Sequence, residues 1–206
     1  MKTTIKIMGL SACVITVFLF SKCQEKKSII SQATAETAVQ SDFNGFESQI
    51  KWGEHLVIIG GCHDCHTPKK MSAFGPVLDS ALWLSGHPAE MPPFDINRKE
   101  IESKGLAVTF DLTEWAGPWG VSYTANLTPD VTGIGTWSED QFIFCLRKGK
   151  FKGLEGSRDL LPPMPWQMAG QMTDNELKAV FAYLKSIKPI ANLVPMPKAP
   201  ESSMIN

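Results

Sequence analysis

What the chain lacks narrows it quickly. It holds one C-x-x-C pair, Cys62 and Cys65, and no second one, so a closed four-ligand structural zinc site is short of partners. Of five cysteines, two fall in the N-terminal segment (Cys13, Cys23), two in that pair, and Cys145 stands alone, which leaves no disulfide framework. Downstream of the pair there is no strand-helix-strand alternation, the context a thioredoxin-like dithiol requires. No internal repeat is visible. With 20 basic against 21 acidic residues the formal charge is −1, which excludes a basic nucleic-acid footprint. The apolar run at residues 7–20 is shorter than the roughly 18 residues a spanning helix needs.

What is present is the pentapeptide Cys62-His63-Asp64-Cys65-His66. C-x-x-C-H is the attachment signature of c-type haem. Two thiols three residues apart sit on one helical turn and reach the two vinyl groups on one porphyrin edge; the imidazole after the second thiol falls under the iron. A zinc half-site and a dithiol redox pair are the competing readings, each weakened by the absences above.

The N-terminus fits export. Lys2 and Lys6 precede the apolar run without an acid, the n-region and h-region of a signal spanning residues 1–22. Cys23 follows directly, as in a lipoprotein signal, although Lys22 stands where a small residue is usual; cleavage before Cys13 would put the apolar run on the wrong side. Loss of Lys2, Lys6 and Lys22 leaves a net charge of about −4. Residues 23–42, rich in Lys, Ser, Gln, Thr and Ala, read as a flexible tether. The expectation is a protein at the periplasm or the outer face of a bacterial membrane, lipid-anchored through Cys23.

A folded domain is expected over residues 43–190. Phe46, Ile50, Gly53, Leu56 and Val57 recur at helical spacing and end at Gly60-Gly61, delivering the chain into the motif. Thr67-Pro68 closes the local turn. Residues 79–124, with four prolines and several Trp and Phe, read as an irregular insert, with a short strand or hairpin around residues 107–110. Ser138-Glu139-Asp140-Gln141 reads as a capping box opening a helix that carries Phe142, Cys145 and Leu146 to Lys148. Thr173-Asp174-Asn175-Glu176 opens the last helix, with Leu177, Val180, Phe181, Leu184 and Ile187 as its stripe and Pro189 as its stop. Residues 191–206 form a Pro-rich tail expected to lie along the surface.

For the second iron ligand the choice is Met164, held between prolines just before the last helix, where its thioether can be aimed. Met91 is next; Met168 and Met172 read as packing, and His87 as a loop histidine with no partner in view. His55 reads as structural or exposed, His63 as pointing elsewhere, and Cys145 as a buried inert thiol.

The arrangement resembles the class I mono-haem cytochrome c domain over residues 44–188: helix, C-x-x-C-H, a Gly-Pro segment, a middle helix, a methionine loop, and a last helix packed on the first. Asn126-Leu127-Thr128-Pro129-Asp130, Gly133-Ile134-Gly135-Thr136-Trp137-Ser138 and Pro162-Pro163-Met164-Pro165-Trp166 resemble the haem modules of bacterial membrane-bound alcohol and sugar-acid (gluconate) dehydrogenase cytochrome subunits. Those subunits usually carry three modules; this chain carries one motif. The resemblance implies an all-α fold around one covalent haem c, interrupted by an insert of about 45 residues. It implies Cys62 and Cys65 as attachment points, His66 and Met164 as iron ligands, and the Pro76 carbonyl as acceptor of the His66 Nδ1 proton. It also implies pocket or propionate roles for Trp137, Trp166 and Asn126. The function it implies is electron transfer, not catalysis, between redox proteins: a dehydrogenase as donor, and an oxidase or another cytochrome as acceptor. The rivals are a peroxidase-like haem enzyme with an open sixth site, a haem-binding sensor, and the electron-accepting subunit of a dehydrogenase complex.

Overall fold

The computed structural model describes residues 43–201; the signal, Cys23 and the tether lie outside the described residues. One compact unit begins at Phe46. Its first helix, α1 (Gln49–Ile59), is N-capped by Ser48, whose hydroxyl accepts from Lys51 N–H, and it buries Trp52, Gly53, Leu56 and Val57. Ile50, in the expected stripe, is 42% exposed, so the buried face is rotated towards Trp52. After Gly60-Gly61 the chain enters α2 (Cys62–His66), a single turn closed by Thr67 in extended geometry.

The last helix, α6 (Asp174–Ser186), packs against α1. Gly53 is the crossing point: a Cβ there would lie 1.9 Å from the Ala179 carbonyl oxygen and 2.9 Å from Tyr183 Cβ. Only a hydrogen at that position lets the two backbones approach this closely. The capping box of α6 is complete, Thr173 Oγ1 accepting from Glu176 N–H while the Glu176 carboxylate accepts from Thr173 N–H at 2.7 Å. The middle helix, α4 (Glu139–Lys148), has only half of its expected box. Ser138 Oγ accepts from Gln141 N–H, but the Gln141 amide donates to the Lys152 carbonyl instead of reaching back. A short helix α5 (Trp166–Ala169) precedes α6, which ends at Ser186, three residues before Pro189, with Ile187 as its cap.

The all-α expectation does not hold. Beside six helices the described residues form two small antiparallel sheets, and the fold is mixed α/β. The first is a hairpin of β1 (Lys69–Ser72) and β2 (Gly75–Leu78), with Lys69 opposite Leu78. The second has the order β3 (Val108–Thr109), β4 (Glu114–Gly117), β5 (Gly120–Tyr123). The 79–124 insert is therefore built: a 3-10 turn at Ser80–Leu82, helix α3 (Arg98–Ser103) and this sheet. Strands of two to four residues are too short for a two-residue alternation to show in sequence, which is why the segment reads as loop. The strand expected around 107–110 is β3.

The Pro-rich tail lies along the insert. Lys198 pairs with Val121 through two backbone bonds, Arg98 donates to the Ala199 carbonyl, and Glu201 N–H donates to the fully buried Glu102 carboxylate. No helix of the described residues is long and apolar enough to cross a membrane.

Candidate functional site

Cys62, Cys65 and His66 share one helical turn. No disulfide engages either thiol, and both are half-buried. Burial pushes both thiols above their ordinary range. That is the opposite of the stabilised thiolate on which a reactive redox dithiol relies. Zinc fares no better: no group of three or more His, Cys, Asp or Glu among the described residues could hold a metal ion.

His66 is buried, and burial holds its imidazole below the ordinary value, in the neutral form. Its Nδ1 lies 2.8 Å from the Ala125 carbonyl oxygen. A carbonyl only accepts, so the ring proton sits on Nδ1 and the lone pair is left on Nε2, the form a metal-ligating imidazole takes. The expected acceptor, Pro76, is elsewhere: it is exposed in β2, opposite Met71. The sequence between the motif and residue 79 folds back as a hairpin instead of crossing the ring. Behind the turn, the Lys69 ammonium donates to the Asp64 carbonyl and, at 2.9 Å, to the Thr67 carbonyl, satisfying oxygens at the C-terminal end of α2.

His63 leans on Trp83, ring centroids 5.4 Å apart, and Trp83 Nε1–H donates to the Tyr183 hydroxyl at 3.0 Å. The motif is thereby stacked against α6. Met172 packs here too, its methyl 3.6 Å from where a Gly60 Cβ would be and Cys62 Sγ 3.7 Å from the same point. Met164 is half-buried in the loop before α5. That loop is tied to β5 by Ser122 Oγ–H, which donates to the Pro162 carbonyl at 2.6 Å, and Trp166 N–H donates to the Met164 carbonyl. The Trp166 ring lies over Gly149, within 2.4 Å of a Cβ position there, and so covers the end of α4.

The remaining candidates separate cleanly. His87 has a partner: it is 1% exposed, its Nδ1–H donates to Thr113 Oγ1 at 2.8 Å, and Thr113 donates onward to the Asp111 carboxylate. Met91 sits half-buried in the insert and Met168 is 62% exposed. His55 is exposed against Phe46. Cys145 is buried, its thiol pushed up to about 11 by desolvation. Asn126 is 3% exposed, and its amide is spent on partners within the protein. That role was invisible in the sequence, since its partners at Thr132, Ile190 and Asn192 are 6, 64 and 66 positions away.

The donor set fits a covalently attached haem: two uncommitted thiols on one turn and a neutral imidazole with its outer nitrogen already fixed. No family model matches the chain. Curated relatives do. It is 27% identical over 169 residues to the gluconate 2-dehydrogenase cytochrome c subunit of Pantoea cypripedii, covering 80% of this chain and 30% of that protein. It is 35% identical over 151 residues to the fructose dehydrogenase cytochrome subunit of Gluconobacter japonicus, covering 72% of this chain and 23% of the other. With the alcohol dehydrogenase (quinone) cytochrome c subunit of Gluconobacter oxydans it shares 28% over 147 residues, 70% of this chain and 23% of the relative. The chain thus spans about a third or less of the length of these relatives. It is similar to the haem modules of the cytochrome c subunits of bacterial gluconate, alcohol and fructose dehydrogenases.

Proposed function

We propose that this chain is an exported one-electron carrier that holds a single haem c through Cys62 and Cys65. The observation that carries the reading is the buried His66 ring, its Nδ1–H fixed on the Ala125 carbonyl, on the same turn as two free thiols. The haem supplies the chemistry, an iron that takes up and gives back one electron. The protein holds it by two thioether bonds, so loading does not depend on free haem concentration. His66 offers Nε2 as one ligand, and Met164, in a loop braced on β5 through Ser122, is the second. With Met164 as the second ligand, its thioether would keep oxygen and peroxide off the iron and would favour the reduced state. No side chain is asked to act as acid, base or nucleophile.

The similarity to dehydrogenase cytochrome subunits favours a dehydrogenase as electron donor, with an oxidase or another cytochrome as acceptor. Residues 1–22 serve as the signal, Cys23 as the lipid-bearing N-terminus, residues 23–42 as the tether and residues 43–190 as the redox domain, onto which residues 191–201 of the tail pack. A tether lets a small domain swing between two partners on one membrane. Protein matured in a host that attaches c-type haem should show a low-spin spectrum with the methionine-to-iron charge-transfer band in the oxidised state. Met164→Ala should abolish that band and convert the iron to high spin. A spectrum unchanged in Met164→Ala moves the assignment to Met91, and a high-spin wild type favours the peroxidase-like alternative. A colourless protein with free thiols ends the reading.

A further inference from the structure

His66 is gripped by two segments distant in sequence. Its carbonyl accepts from Gly86 N–H at 2.8 Å, and its Nδ1–H donates to the Ala125 carbonyl at 2.8 Å. The two segments are bonded to each other: His87 N–H donates to the Thr124 carbonyl and Leu127 N–H to the Leu84 carbonyl. They come so close that Gly86, at φ +76°, has the Ala125 carbonyl carbon 2.5 Å from its Cβ position.

Two asparagines tie this pair down from the tail. Asn192 Nδ2–H donates to the Ser85 and His87 carbonyls at 2.8 and 2.9 Å, and its Oδ1 accepts from Ala89 N–H. Asn126, next to the acceptor Ala125, donates through Nδ2 to the Ile190 carbonyl at 2.8 Å and accepts through Oδ1 from Thr128. The tail backbone closes the circuit, Ile190 N–H donating to Thr128 Oγ1 and Asn192 N–H to Thr132 Oγ1. Both hydrogens of the Asn192 amide go to carbonyls of the segment that carries Gly86, whereas Asn126 fixes the segment that carries Ala125.

We propose that Asn192 and Asn126 are positioning residues for the proximal ligand: together they clamp the Ala125 carbonyl onto His66 Nδ1–H and thereby set the donor strength of Nε2. This rests on the reading that His66 ligates the haem iron. A carbonyl held on Nδ1–H pulls the ring towards imidazolate character and stabilises the oxidised metal. Loosening the clamp lengthens that bond, weakens Nε2 as a donor and favours the reduced state. The tail after α6 is therefore part of the redox site, although it carries no ligand.

The test is a spectroelectrochemical titration of the full-length haem-loaded protein with Asn192→Ala, which removes both donors from the Ser85–His87 side. The expected result is a shift of the reduction equilibrium towards the reduced form by about tenfold, or about 59 mV for one electron, with the low-spin spectrum retained. Exchange of the His66 Nδ1 proton, followed by NMR of the reduced protein, should quicken in parallel. Thr173→Ala, which weakens the cap of α6 away from the clamp, should lower stability and leave the potential in place. If Asn192→Ala does not accumulate, Asn192→Leu keeps the size and removes the donors without adding a charge, and is read in the same way. A wild-type potential and proton exchange in the folded variant, or an equal shift in Thr173→Ala, overturns the clamp. A wild-type protein without histidine-ligated haem overturns instead the reading it rests on.

Discussion

At the scale of single residues, burial decides which reactive groups are available. Three cysteines are described, and their surroundings separate them: Cys62 and Cys65 are half-buried on the turn, while Cys145 lies 6% exposed on the inner face of α4. A thiol pushed up to about 11 has almost no thiolate at neutral pH, and the thiolate is the nucleophile. Alkylation of the folded, haem-loaded protein with iodoacetamide at pH 8 should leave Cys145 unmodified, and unfolding in guanidinium should expose it. Mass spectrometry of the tryptic peptide measures both; rapid native labelling of Cys145 would contradict its assignment as inert packing. The same contrast explains why one imidazole is a ligand candidate and another is not. His66, at the end of the motif, spends Nδ1 on the Ala125 carbonyl, whereas His87 spends it on Thr113 and, through it, on Asp111 inside the insert.

Among the elements, the contact of α1 with α6 carries the frame that holds the motif in place. It depends on Gly53, because the backbone of α6 occupies the volume a side chain would need. Gly53→Ala gains up to about 1 kcal/mol of helix propensity. The gain is outweighed, because a methyl carbon 1.9 Å from the Ala179 carbonyl oxygen forces the helices apart, and overpacking costs about 1–3 kcal/mol or more. The expected outcome is a net loss of about 1–2 kcal/mol, read as a lower urea midpoint at unchanged m. A midpoint equal to or above wild type would show that the crossing tolerates a side chain. The insert works differently as an element. Its strands are short, and its polar groups are buried in chains: His87 to Thr113 to Asp111, and Arg98 to Glu102 to the Glu201 amide. Hydrogen-bonded networks of this kind specify one arrangement where apolar area is limited.

For the whole molecule, the packing of insert and tail beside the C-x-x-C-H turn links stability to pH. Burial holds the His87 imidazole below its ordinary 6.5, with Asp111 pulling the other way. The unfolded chain takes up this proton near the ordinary value, and the fold resists it until lower pH. The contribution of His87 is therefore flat above about pH 6.5 and turns destabilising as pH falls towards the depressed folded value, by up to about 1.4 kcal/mol per pH unit. Urea midpoints between pH 7.5 and 5.0 should decline in wild type, and His87→Gln should remove that proton's share of the slope. Equal slopes in both would mean that His87 titrates normally.

The chain by itself determined the C-x-x-C-H turn, the three long helices and the N-caps of the last two, because those depend on residues within one or two turns: C-x-x-C-H, Ser138, Thr173 with Glu176, and the periodic stripe of α6. Even locally there were limits, since the Gln141 side chain preferred the Lys152 carbonyl 11 residues on to its own N-cap. Only the tertiary structure decided that the carbonyl facing His66 is Ala125 and not Pro76, that His87 is a buried link, and that Asn126 and the tail bind each other. It also decided that the insert holds a three-stranded sheet and that a hairpin follows the motif, so that the fold is mixed. Backbone carbonyls look alike in every residue, and strands of two to four residues carry too few side chains to show a period. Which carbonyl meets which donor across some 60 positions depends on chain topology, which a local pattern does not encode.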